Sequence, residues 1–176
     1  MDYLIKETDG TAMKHLGSLA HSTEGACLCF LAFCREGVRV LGSHIYPDIT
    51  QDYIAFGHSM PAWEAGDHDS VRATLSVSAD RLAHADADFF ICPDNTAHMA
   101  LERPGPDLAL PGRHIAKVVA DQAARDGRTR VGVLGTKYTM DGPLYPQALG
   151  QPGDRHRNTR RKRTGCSSMR SFSMSW

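Results

Sequence analysis

Asp88-Phe89-Phe90-Ile91-Cys92-Pro93-Asp94-Asn95-Thr96-Ala97-His98 is an apolar run that stops abruptly at a thiol, a proline, a carboxylate, an amide, a hydroxyl and an imidazole. A buried parallel strand reads as a short apolar run closed by turn residues. Asp88 to Cys92 is therefore expected to be such a strand, with Ile91 buried. In open α/β sheets the ligand crevice lies beyond the carboxyl ends of the strands. Asp94, Asn95 and Thr96 are accordingly expected at the mouth of a crevice. The same residues also fit a plain strand-to-helix turn in which Asp94 or Asn95 caps the next helix. The two readings are compatible, because a cap residue can also face a ligand.

Working outward, strands alternate with helices. His15 to Ala20 reads as a strand ending in His21-Ser22-Thr23-Glu24-Gly25. Ala26 to Glu36 reads as a helix stopped by Gly37. A second strand is expected within His44 to Phe56. Asp67 to Ala85 has apolar residues at Val71, Leu75, Ala79 and Leu82, the spacing of a helix with one buried face. Gly112 to Asp126 is a further helix, with Ile115, Val118, Val119 and Gln122 along it. Arg130 to Leu134 is expected as a strand, Gly135 to Thr139 as a loop, and Met140 to Leu149 as the start of a helix around a proline turn. This order predicts an α/β fold, a parallel sheet with flanking helices. A faint internal echo aligns Leu16 to His21 with Val131 to Thr136, each a glycine-containing strand running into a small polar turn.

The 176 residues suffice for one ordinary domain or two small lobes, and 41% of them are hydrophobic. The net charge is zero but unevenly spread. From Gln151 onward there are seven Lys or Arg and a single acid, +6 in all, which leaves −6 on residues 1 to 150. Residues 1–12 read as a flexible leader; they are polar, hold three acids and lack the apolar core of a signal peptide. No apolar run approaches a membrane span. Five cysteines, Cys27, Cys29, Cys34, Cys92 and Cys166, an odd number without a secretory signal, suggest reduced thiols in a cytoplasmic protein.

Three motifs in order resemble the aspartate/glutamate racemase family, over about Met13 to Gly150. In that family one lobe carries a Cys-Asn-Thr-type turn followed by a small residue and His. The second lobe begins with a strand ending in Gly-Thr-x-x-Thr. Here those stand as Asp94-Asn95-Thr96-Ala97-His98 and Gly135-Thr136-Lys137-Tyr138-Thr139, while His21-Ser22-Thr23-Glu24-Gly25 looks like the first-strand turn of one branch. The resemblance implies two pseudo-symmetric lobes, residues 13–110 and a second lobe beginning at 111–150 and incomplete. It implies cofactor-independent inversion at the α-carbon of an amino acid or related carboxylate, of the aspartate/glutamate type. It is compatible with a homodimer. By position, Ser22, Asn95, Thr96, Thr136 and Thr139 would hold the substrate carboxylate.

Two departures from the family pattern bear on the chemistry. Inversion needs one group to remove the α-proton and another, on the opposite face, to return a proton. Family members usually use two cysteines, since a thiolate in an electropositive site is a competent base. Before Asn95 stands Asp94, and Cys92 lies two residues earlier, behind Pro93. The base is therefore Asp94 or Cys92, with position favouring Asp94. An ordinary carboxylate is a weak base, so Asp94 would need desolvation to raise its pKa. The second-lobe Gly-Cys-Thr-Glu-type motif is missing; Gly165-Cys166-Ser167 has no apolar strand leading into it. Shifting the reading of Gln151 to Arg161 by one nucleotide permits Gly-Ile-Ala-Thr-Glu-Ile-Pro, a segment such a family would carry next. Residues 151–176 are thus expected to be a basic, out-of-frame tail without packed structure.

Other readings fit less well. Cys27, Cys29, Cys34 and His21 could hold a metal, but C-x-C-x4-C is not a common zinc spacing. The cysteines are better explained as small buried hydrophobes, so no metal site is expected. His98 reads as a local hydrogen-bond partner as readily as a catalytic group. Arg160-Arg161-Lys162-Arg163 could touch nucleic acid, but a solvated run fits better. A related α-carbon isomerase or decarboxylase, or a non-catalytic carboxylate-binding or basic-tailed nucleic-acid-binding protein, are the alternatives to a racemase.

Overall fold

The computed structural model describes residues 13–150. The expectations for the leader and the basic tail lie outside them. Four strands form one parallel sheet: β1 (Leu16–Leu19), β2 (Ile49–Asp52), β3 (Phe89–Ile91) and β4 (Gly112–Arg113), in the order β2-β1-β3-β4. Leu16 pairs with Ile49 on one side and Phe89 on the other, and Phe90 pairs with Gly112. Because β2 and β3 flank β1, right-handed crossovers place α1 (Thr23–Leu41) on one face of the sheet and α3 (His68–His84), which follows the short α2 (Met60–Ala65), on the other.

The opening stretch forms its strand as read, but Ile91 is half-buried, not buried. It pairs with Arg113 in a two-residue edge strand, which covers little of it. Phe89 and Phe90 are the buried residues of β3.

α3 is the main support of the sheet. Asp67 caps it, its carboxylate accepting the Ser70 amide at 3.0 Å. Val71, Leu75, Ala79 and Leu82 are all buried, as their spacing predicted. Val71, Leu75 and Leu82 pack with Leu19, Phe90 and Cys92 into the core cluster. Each such leucine contributes about 1.5–3 kcal/mol by leaving water.

α1 differs from expectation. It runs from Thr23 to Leu41, well past Gly37. Gly37 does not stop it: a side chain there would collide with Tyr46, so glycine lets the following segment lie close. The stop is Gly42, at φ 112°, whose N–H bonds to the Val38 carbonyl at 3.0 Å. Ala26 is buried, whereas Cys27 is exposed and Cys29 and Cys34 are half-buried, so the cysteines of α1 are not core residues.

Beyond the sheet, α5 spans Ile115–Arg125. The helix expected over Gly112 to Asp126 thus loses its first residues to β4, just past the 13–110 span read as the first lobe. Ala116 and Ala123 are its buried residues, while Val118 and Val119 are exposed. Small side chains let α5 approach α7 (Leu144–Ala148) closely. Arg130 to Leu134 does not form the expected strand, so the echo of β1 there is one of sequence only. None of the four strands pairs with it, and a strand without a neighbour leaves its backbone groups to water. Leu134 is 91% exposed, while Val133 packs on Ala116, Leu144 and Tyr145. Gly135 to Thr139, expected as a loop, enters α6 (Lys137–Asp141), and Gly142-Pro143 separates α6 from α7.

Candidate active site

β1 and β3 are parallel neighbours, so their carboxyl ends open on the same edge of the sheet. His21 follows the first and Asp94 the third. His21 Nδ1 lies 2.7 Å from Asp94 Oδ2, with the two side chains 4% and 14% exposed. The other ring nitrogen, Nε2, lies 3.4 Å from the Trp63 indole nitrogen and 3.3 Å from Ser59 Oγ. An indole N–H can only donate, so His21 Nε2 accepts. The ring hydrogen then sits on Nδ1 and is donated to Asp94. The single hydrogen of Ser59 is shared between that nitrogen and the Phe56 carbonyl, 3.0 Å away. Phe56 also packs edge-on against the imidazole, with ring centres 4.7 Å apart.

The second oxygen of Asp94 accepts the amides of Thr96 at 2.9 Å and Ala97 at 3.3 Å, closing the turn before α4 (His98–Leu101). Asp94 thus closes the turn ahead of the helix but does not cap it as expected: the N-cap of α4 is Ala97, which makes no side-chain cap hydrogen bond. Burial pushes this carboxyl up, but the hydrogen bond from His21 and those from the two amides outweigh it, holding Asp94 below the usual carboxylate range. Desolvation does not win, contrary to the need stated for a carboxylate base.

Cys92 takes a different place. It is 2% exposed and packs in the core against the α3 side chains. Burial, and then the neighbouring Asp94 charge, push its thiol up. His98 lies beneath the turn, its Nε2 3.2 Å from the Cys92 carbonyl. A carbonyl only accepts, so this nitrogen carries the hydrogen. Burial pushes His98 down to about 4, so it is neutral at pH 7.

Ser22 caps α1, its hydroxyl accepting the Gly25 amide at 3.3 Å. Gly25 lies directly against the Pro93 carbonyl, which brings the Ser22 turn beside the Pro93-Asp94 turn. Gly25→Ala should push the start of α1 off that carbonyl. We expect a loss of about 1–3 kcal/mol in urea unfolding, the usual cost of overpacking, against no more than a few tenths for Gly57→Ala, where a side chain meets open space.

Asn95 and Thr96 are half-buried beside Asp94. Asn95 Oδ1 accepts the Tyr145 hydroxyl at 2.7 Å, so α7 reaches this turn. Thr136 and Thr139 bond to each other: Thr136 Oγ1 accepts the Thr139 amide at 3.3 Å and lies 3.2 Å from its hydroxyl. The structure thus joins Ser22, Asp94, Asn95 and Thr96 at one end of the sheet, while the hydrogen bonds of Thr136 and Thr139 stay within α6. A small cavity of about 10 Å³, bounded by His21, Ser59, Leu75 and Ser78, has room for one water. Among the described residues no group of His, Cys, Asp and Glu is arranged to hold a metal, and no helix is long and apolar enough to cross a membrane.

Ser59, Trp63 and Tyr145 carried no expected site role, and His21 was expected only in the first-strand turn and as a metal-ligand candidate. For His21 a signal was available. A histidine just beyond β1 and an acid just beyond β3 must meet if the two strands are parallel neighbours. Trp63 and Tyr145 had no such signal, since tertiary packing alone brings them in.

An open parallel sheet with polar turns gathered at its strand ends places the chain among α/β proteins, a class in which ligands bind in the crevice beyond the strand ends. A family model described as Asp/Glu/Hydantoin racemase matches residues 31–167, and the chain belongs to that family. It is 30% identical over 83 residues to the broad specificity amino-acid racemase RacX of Bacillus subtilis (strain 168), covering 47% of this chain and 36% of that protein. A protein from Yersinia pestis assigned as an Asp/Glu racemase shares the fold with a TM-score of 0.70 and 28% identity, over 78% of this chain and 60% of that one. An aspartate racemase homologue from Pyrococcus horikoshii OT3 superposes with a TM-score of 0.68 at 22% identity, over the same shares, and shows the fold alone. The chain therefore spans about a third of RacX's length and three fifths of these solved structures.

Proposed function

We propose that this chain carries one half of a cofactor-independent amino-acid racemase site of the aspartate/glutamate type, with Asp94 as its acid–base group. The observation that carries the reading is the contrast at the end of β3. The Asp94 carboxylate is fixed at the strand ends and is 14% exposed, whereas the Cys92 thiol is buried in the core. Ser22, Asn95 and Thr96 would hold the substrate carboxylate, with Thr136 and Thr139 contributing from the following lobe. In the reaction the Cα–H bond breaks and Asp94 takes the proton. The electron pair delocalises into the substrate carboxylate. Return of the same proton from Asp94 restores the starting enantiomer. Inversion requires a donor on the opposite face, and none of the described residues is assigned to it.

A second reading is favoured by one observation. Asp94 sits below the ordinary carboxylate range, which suits a fixed anion better than a base. On that reading the site holds an amino acid, Asp94 pairing with its ammonium group, without turnover. The same superfamily chemistry on another α-carbon acid, isomerisation or decarboxylation, would use the same residues. Solvent deuterium separates these readings. Uptake at the α-position of aspartate or glutamate in D2O supports proton abstraction; binding without uptake supports the holding site.

We further propose that residues from Gln151 are read out of frame, which accounts for the absence of a recognisable second thiol motif. The family match runs on to residue 167, which an out-of-frame tail does not explain, and the nucleotide sequence around codon 150 is the test. Among the described residues Cys27, Cys29, Cys34 and Cys92 are unpaired, which fits the proposal of a cytoplasmic location. A homodimer is proposed from the resemblance.

A further inference from the structure

The Tyr145–Asn95 contact crosses from the second segment of the chain to the proposed substrate site, and we propose that Tyr145 is a positioning residue that aims Asn95 at a ligand carboxylate. This rests on the reading of that turn as an amino-acid site. An Asn side chain presents a carbonyl on one side and an NH2 on the other, and either can face a given direction. The Tyr145 hydroxyl, a donor toward a carbonyl, lies 2.7 Å from Asn95 Oδ1. It therefore takes the carbonyl side, and the two N–H donors of Asn95 point the other way. A carboxylate ligand has only acceptors, so this is the orientation it needs. A flipped amide would turn its carbonyl toward the ligand.

Three features keep the tyrosine in this role. The residue is 9% exposed and packs with Ala116 and Leu144. Burial raises its phenol, so the hydroxyl keeps its hydrogen at neutral pH. Its helix, α7, packs on α5, which is tied to α4 by the 2.7 Å contact between His114 Nε2 and Glu102. The Asn95 amide is thus oriented by a part of the chain outside the sheet. The donor set for the carboxylate is complete only when α7 is docked. A ligand that uses those donors would in turn favour the docked arrangement.

The test is a double-mutant cycle read by equilibrium binding of L-aspartate and L-glutamate to the full chain. Tyr145→Phe should weaken binding about tenfold, the scale of one hydrogen bond to a charged group. On an Asn95→Ala background the same change should alter binding less than about twofold, because the tyrosine then has nothing to orient. An equal loss on both backgrounds would overturn the proposal, since it would mean that Tyr145 acts through general packing. If neither amino acid binds even to the unaltered chain, the substrate reading itself fails. The positioning role is then read from the side-chain amide signals of Asn95 by NMR. Two sharp, distinct NH2 proton resonances whose shifts move in Tyr145→Phe support it. Signals identical in the two proteins contradict it.

Discussion

Asp94→Asn will unfold this protein at markedly lower urea concentration and remove any α-proton exchange. The substitution keeps the shape of the side chain, but the surroundings have no place for its NH2. His21 donates to one oxygen, and the Thr96 and Ala97 amides donate to the other. An amide must therefore turn donors toward a donor on one side or the other. His21 cannot relieve this by moving its hydrogen to Nε2, because the Trp63 N–H already points there. A buried donor left without an acceptor costs about 1–3 kcal/mol, and a charged partner is lost besides. We expect a loss of about 2–4 kcal/mol in urea unfolding. A change under about 1 kcal/mol would mean that the His21–Asp94 contact is not held as described.

Acid will destabilise the fold well above the carboxylate range, through His98. In the folded chain this imidazole is held down to about 4 by burial, and next by the nearby His114 ring; the Cys92 carbonyl, Glu102 and Asp94 pull the other way without winning. In the unfolded chain it returns to about 6.5. Between those values the unfolded state binds more protons, so stability rises with pH there and is lost as pH falls from about 6.5 toward 4. The loss should approach about 2–3 kcal/mol. Asp94 has the opposite kind of group and a lower window. Its folded value is depressed, so its contribution is intact above the unfolded carboxylate value and disappears as pH falls through the folded one. The two effects therefore separate along the pH axis. His98→Gln retains a donor for the Cys92 carbonyl but does not titrate. Urea midpoints measured from pH 7 to 4 should decline in the original protein and stay nearly level in that variant until about pH 4.5. Parallel declines in both would remove His98 as the cause.

The sequence made some of this architecture readable and hid the rest for physical reasons. α3 was legible because its four core residues repeat at helical spacing, so local pattern and tertiary role coincide. β3 was legible because an apolar run ends at once in turn residues. The strand expected at Arg130 to Leu134 has a comparable pattern, but a strand also needs a hydrogen-bonding neighbour, which no local pattern supplies. Gly37 looked like a helix stop because glycine commonly is one, whereas its role here is to clear Tyr46. β4 is two residues long and carries no periodicity. At the site, Asp94, Asn95 and Thr96 were visible as a polar cluster after a strand. That Asp94 would be held low depended on His21, seventy-three residues away, and that Cys92 would be sealed depended on α3.

α-Deuterium uptake is the decisive measurement for a single-faced acid–base site at Asp94. Each enantiomer of aspartate and glutamate would be incubated with the chain in D2O, following both deuterium content and optical configuration. Slow uptake into one enantiomer with its configuration retained is expected, with no inversion and no uptake with Asp94→Asn. Inversion of either amino acid by this chain would contradict it, as would uptake that survives Asp94→Asn and is lost in Cys92→Ser.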